Sequence, residues 1–234
     1  MTIGYSNIPA VLNPNYPSLG YQATSTSEFG DRITFGGTER SLSTVKLTMS
    51  SWARSEDFGN AVSYTHDLTL NIYDAGSGNT PGALLATKTS NFNILYRPTG
   101  YTNSGIAFNV VFDMSSLNVT LPNSVVYGLA FNTANYGANP LGGSGPYNSL
   151  NFGLNGAVGG GITAGSNNDL DDAFWNTSHA PFYTDGGVGG VGIFRRDTAW
   201  TPYVPMAEFS LVPTPGSLAL LGLGGLAATR RRRS

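Results

Sequence analysis

The strongest constraint on what this chain can fold into is a two-residue alternation of apolar and polar side chains. Val45, Leu47 and Met49 alternate with Lys46 and Thr48, and Leu68, Leu70 and Ile72 with Thr69 and Asn71. The pattern returns at Ile106, Phe108, Val110 and Phe112, then at Val125, Tyr127, Leu129 and Phe131. Leu150, Phe152 and Leu154 follow, and Phe209 with Leu211 closes the series. The pleat of an extended backbone sends successive side chains to opposite faces, so each segment buries one face and wets the other, as in antiparallel sheets. Before residue 212, no segment sustains a helical period of apolar residues. Turn signals such as Ala75-Gly76-Ser77-Gly78-Asn79-Thr80-Pro81-Gly82 and Leu121-Pro122-Asn123 punctuate the runs. The expected fold is all-β: one antiparallel β-sandwich over residues 1–211, jelly-roll-like.

Composition narrows the function. Residues 1–211 carry 8 Lys+Arg against 14 Asp+Glu, so this region lacks the basic footprint that nucleic acid requires. Charged residues make up only 11% of the chain, and Gly, Ser, Thr and Asn carry much of the polarity, which suits an exported β-protein with long loops. There is no cysteine, which excludes disulfides and thiolate chemistry.

The last residues break this pattern. Val212-Pro213-Thr214-Pro215 leads into an uncharged, Leu- and Gly-rich run, Gly216 to Thr229, and then into Arg230, Arg231, Arg232 and Arg233. An apolar helix ending in clustered cations holds a chain in a membrane with its end on the cytoplasmic side. A 14-residue run spans roughly 21 Å as a helix, against a hydrocarbon core of ~30 Å, which suits transient holding better than permanent anchorage. A helix docked on the domain is the alternative, but its glycines would weaken it and four arginines have no place after a core helix.

This tail resembles the PEP-CTERM sorting signal of Gram-negative bacteria, with Pro213-Thr214-Pro215 as the motif and Thr214 where that family usually carries Glu. The resemblance covers residues 212–234. It implies export, transient residence in the inner membrane, processing by an exosortase-like enzyme, and delivery to the cell surface or medium. It also implies an association with extracellular matrix or exopolysaccharide. Export normally requires a basic and then an apolar N-terminal stretch, and Met1 to Asn7 has neither. The expectation is either a signal peptide upstream of a misplaced start, which is favoured, or a truncated chain.

Between Gly137 and Gly192 the strand spacing gives way to glycine runs interleaved with Trp175, Phe182 and Tyr183. The wording at 145–154, 173–187 and 197–205 is similar to secreted bacterial β-domains without an assigned activity, which implies an extracellular module and supplies no catalytic residues. Two matches to G-x-G-x-x-G/A, at 187–192 and 222–227, lack the strand-to-helix context that a dinucleotide fingerprint needs.

Three candidate chemistries remain. Asp169, Asp171 and Asp172, preceded by Asn167 and Asn168, offer oxygen ligands for calcium, and Asp74 with Ser77 and Asn79 offers a thinner set. Turn geometry is the competing reading of both. Catalysis is not expected: only His66 and His179 are present, and no nucleophile elbow. Glycan contact is the third, with Trp175, Tyr147 and Tyr183 as anchors and Trp52, Trp200 and Tyr136 as further candidates; buried plugs are the competing reading. The 137–192 segment, rather than a sheet face, is expected to carry any such contact.

The expected function is therefore an exported, surface-sorted structural or adhesive protein, with a carbohydrate-binding module as the alternative. Deleting residues 216–234, or replacing Arg230 to Arg233 by Ser, is expected to release the protein from the membrane fraction in a host with an exosortase. Fractionation of cells and medium measures this, and unchanged partition of both variants contradicts the sorting role.

Overall fold

The structure, a computed structural model, describes residues 1–101, 104–177 and 193–213, with the backbone of 184–185 and 188–189. In chain order the strands are β1 (Thr2–Ser6), β2 (Ser18–Gly20), β3 (Glu28–Thr34), β4 (Ser41–Ser51) and β5 (Ser63–Asp74). Next come β6 (Leu84–Leu95), β7 (Ile106–Asp113), β8 (Ser124–Ala130), β9 (Leu150–Asn155) and β10 (Ala173–Asn176). The series ends with β11 (Thr184–Asp185), β12 (Val188–Gly189), β13 (Arg195–Asp197), β14 (Val204–Pro205) and β15 (Ala207–Val212).

These strands build two main antiparallel sheets. The seven-stranded sheet centres on β4, which pairs along one edge with β7 and shares its other edge between β15 and β9. The six-stranded sheet runs β13-β10-β3-β8-β5-β6. Aromatic rings from the two sheets meet between them: Phe29 of β3 with Phe152 of β9 at 5.9 Å, and Tyr127 of β8 with Phe209 of β15 at 5.4 Å. Phe92 of β6 and Phe112 of β7 close a further contact at 4.9 Å. One core thus lies between the sheets, as in a β-sandwich.

The alternation read from the sequence sets the faces. On β5, Leu68, Leu70 and Ile72 point inward while Asp67, Thr69 and Asn71 point outward. Strand β8 is buried on both faces, because its outward residues are the small or apolar Val126, Gly128 and Ala130. A Cβ on Gly128 would come within 2.3 Å of Glu28 Oε1 and 2.8 Å of the Phe194 ring, so glycine lets these side chains lie against the sheet.

The pattern did not reveal β3, where Asp31 occupies an inward position and is fully buried. Among the described residues the helices are 3₁₀ turns of three or four residues, and none is long and apolar enough to cross a membrane. Val212 ends β15 opposite Ser41, so the last strand runs one residue past the expected boundary. Thr214 onward, including Pro215 and Arg230 to Arg233, lies outside the described residues.

Phe209 is fully buried against Phe35 and Tyr127, so Phe209→Ala removes contacts from both sheets. The expected cost is about 3–5 kcal/mol, read as a lower urea midpoint at unchanged slope.

Candidate functional site

The outer face of the six-stranded sheet carries a polar groove of about 550 Å³. Register builds it row by row. Glu28 of β3 stands opposite Asn176 of β10 on one side and Ala130 of β8 on the other, and Ala130 stands opposite Thr69 of β5. Thr69 in turn faces Thr89 of β6, their hydroxyls 2.8 Å apart. Asp67 lies one same-face step away, taking a hydrogen bond from Asn91 Nδ2 at 2.7 Å. In the other direction Asn71 accepts from the Thr87 hydroxyl at 2.8 Å and donates to Glu28 Oε1 at 2.9 Å. The loop after β8 supplies Asn132 and Asn139, with the Asn139 N–H bonded to Asn132 Oδ1 at 2.6 Å.

Glu28 is the buried acid of this groove, 9% exposed. Burial pushes its carboxyl above the ordinary range, partly offset by hydrogen bonds from Asn71 and from the Tyr73 hydroxyl at 3.0 Å. Asp67 is the second acid lining the groove. Two strand spacings and one same-face step separate their Cα atoms by ~12 Å, and the Glu28 carboxyl is drawn toward Asn71, away from Asp67. His66 is tied to the loop after β8. Its Nε2–H donates to the Asn132 carbonyl at 2.7 Å, and burial lowers its pKa. His179 lies outside the described residues.

The aromatic anchors expected from the sequence fall elsewhere. Trp175 is 1% exposed and packs edge-on against Trp200 at 5.3 Å, so it is a core residue and not a ligand contact. It stands opposite Phe29 in register and shares that inward face, whereas its neighbour Phe174 faces outward beneath the Arg32 guanidinium at 4.9 Å. Two adjacent aromatics on one strand gave no sequence signal for which would turn inward. Tyr147 is half-buried over His66 at 4.9 Å and edge-on to Tyr64 at 5.8 Å, beside the groove rather than in it. Tyr183 lies outside the described residues. Trp52 donates to Ser18 and Trp200 to Asp197, which gives both indoles local partners. The sheet face, rather than the 137–192 segment, supplies most of the groove. The sequence signal for it lies in the polar positions Thr69 and Asn71, which alternate with the inward Leu68, Leu70 and Ile72.

A second aromatic surface was not foreseen. Tyr16 and Tyr203, with Pro9, Pro17 and Pro202, wall a shallow groove of about 600 Å³, where Tyr203 is 42% exposed.

The acidic cluster is arranged differently from the expected triad. Asp172 Oδ2 accepts from Arg196 Nε at 2.8 Å, and Arg196 also reaches Asp169. Asp171 turns away: main-chain bonding from Ala199 and Thr201 holds its carboxyl below the ordinary range. Among the described residues no three acidic or imidazole side chains gather at one metal-holding point. Instead Asp31 joins the cluster from β3, bonded by Asn167 Nδ2 at 2.8 Å, beside a cavity of about 250 Å³. Asp74 closes its own turn by accepting the Gly76 N–H at 3.0 Å, as turn geometry requires.

No protein-family model matches the chain, and neither a curated protein nor a solved structure matches it.

Two outcomes follow for these residues. Trp175→Ala should cost about 3–5 kcal/mol, measured by urea denaturation, because it empties a buried site between the sheets. Glu28 has a raised folded-state pKa, so above its unfolded value the unfolded chain releases a proton that the folded chain retains. Stability attributable to Glu28 therefore falls as pH rises through that window and levels above the folded pKa. Glu28→Gln should flatten this part of the pH–stability profile, measured by thermal melts between pH 4 and 8; an unchanged slope contradicts the assignment.

Proposed function

We propose that this chain is an exported, surface-sorted adhesive domain that binds extracellular polysaccharide through the groove on its six-stranded sheet. The observation that carries this reading is the row of hydroxyl, amide and carboxylate side chains from Glu28 across Thr69 to Thr89, flanked by Asp67, Asn71 and Asn132. Sugars present many hydroxyls that both donate and accept, and such a row offers both roles. Each bond contributes only ~1 kcal/mol net, so a chain of sugars spanning several rows is a better ligand than a single one. Among the described residues the groove is lined by two acids, Glu28 and Asp67, and by no Lys or Arg. That charge balance favours neutral or amino-bearing sugars over uronates. The PEP-CTERM-like tail, the exosortase-like partner and passage through the inner membrane complete the proposal: they bring the groove to the compartment where such polymers lie.

Affinity electrophoresis of the full chain in gels containing a neutral glucan, a glucosamine polymer or a polyuronate tests it. The first two should retard migration and the polyuronate least. Asp67→Ala and Thr69→Val should each weaken retardation several-fold while leaving the melting temperature within about 2 °C, as surface substitutions do. Absence of retardation by every polymer contradicts the reading. Retardation lost in Tyr203→Ala but kept in Asp67→Ala moves the contact to the Tyr16–Tyr203 groove.

A further inference from the structure

Building on the polysaccharide reading above, we propose that the groove takes an extended, ribbon-like glycan laid across the strands, with one sugar per strand. The register fixes that direction. Asn176 of β10, Glu28 of β3, Ala130 of β8, Thr69 of β5 and Thr89 of β6 stand opposite one another in a single row, and all five line the groove. The row therefore runs at right angles to the strands, and it has a wall on each side. On one side the Phe194 ring stands over Gly128, where an added Cβ would lie 2.8 Å from it, and packs against Tyr73 at 5.5 Å. On the other side the chain after β8 brings Phe131, Asn132, Ala138 and Asn139 to the groove.

Neighbouring strands lie ~4.8 Å apart, so the row from β10 to β6 is ~19 Å long. A pyranose linked equatorially at opposite ends of its ring advances by close to one strand spacing, so a straight ribbon keeps step with the strands over about four sugars. An α-linked chain of the malto-oligosaccharide kind coils and leaves the row early. Hydrogen-bonding capacity is spread along the path. Among the described residues Asp67 gives Oδ1 to Asn91 and keeps Oδ2 as an acceptor. Asn132 engages its carbonyl with His66 and its Oδ1 with the Asn139 N–H, which leaves Nδ2 to donate. One hydrogen joins the Thr69 and Thr89 hydroxyls, and the other is left to meet a sugar. Asn71 is spent on Thr87 and Glu28, so it orders the floor of the groove. Ala130, the middle residue of the row, offers a methyl group on which the C–H face of a sugar can rest.

Calorimetric titration of the full chain with cello-, chito- and malto-oligosaccharides of increasing length tests the crossing geometry. Affinity for the cello or chito series should rise about fivefold with each sugar, the worth of one further hydrogen bond, and level off at about four sugars. The malto series at equal length should bind about tenfold more weakly, because fewer of its units reach the row. Thr89→Val, at the outer end, should leave the disaccharide unchanged and remove the gain from the last sugar. Asn132→Asp keeps the acceptor that orders the loop and removes the donor beside the middle strand. It should weaken every length about fivefold at an unchanged melting temperature. A plateau already at the disaccharide, or a malto series that binds as tightly as the others, overturns the crossing geometry while polymer retardation in the gels keeps the groove itself. Loss of the length dependence in Tyr203→Ala but not in Asn132→Asp also overturns it. Absence of binding by all three series overturns it as well, and takes the polysaccharide reading with it where no polymer retards the chain.

Discussion

The meeting of aromatic rings between the two sheets is the interaction on which the rest of this protein depends. Phe29 against Phe152, Tyr127 against Phe209 and Phe92 against Phe112 join strands that are distant in sequence. Large rings bury much area per side chain and prefer edge-on or tilted contact, so they fix how the sheets lie as well as holding them together. The outward polar positions of β5 and β6 can then serve other purposes, because the inter-sheet core does not rest on them.

The six-stranded sheet shows what that freedom allows. Its outward row of Thr, Asn and acid side chains is cross-linked by hydrogen bonds from β6 through β5 to β3. Such links hold the polar groups in place before any ligand arrives, which lowers the ordering cost of binding. Gly128 is the enabling detail. Without a Cβ there, the Glu28 carboxyl can lie flat across the sheet and reach Asn71 and Tyr73. The result is a buried acid at one end of a wet groove, with a proton affinity set by burial rather than by a nearby base.

Where β3 meets β10 and β13, a second polar centre ties the irregular part of the chain to the sheet. Arg196 of β13 grips Asp169 and Asp172, and Asn167 reaches Asp31. Asp31 and Asp172 are buried, so their interactions are stronger than at the surface and each unmet oxygen more costly, whereas Asp169 stays exposed. The two centres share one strand: Glu28 faces out into the groove, and Asp31, an odd number of residues along, faces in.

The alternation at 45–49, 68–72, 106–112 and 125–131 was enough to establish an all-β, antiparallel chain, because a period of two leaves each segment one dry face. It also marked Thr69 and Asn71 as outward positions, on the face where Asp67 lies. It could not find β3, whose inward Asp31 breaks the apolar pattern and is tolerated only because Asn167 and the Arg32 main chain meet it. Nor could it assign Trp175 to the core, since Phe174 and Trp175 are both apolar and only pairing with β3 decides which one turns inward. Local spacing grouped Asp169, Asp171 and Asp172, but the chain's return at Arg196 and the position of β3 separated Asp171 and brought in Asp31. Periodicity is a property of neighbours along the chain, and so the sequence determined the faces of its strands. Which acids, amides and rings share a cavity depends on which strands lie side by side, and that was decided only when the sheets closed on their common core.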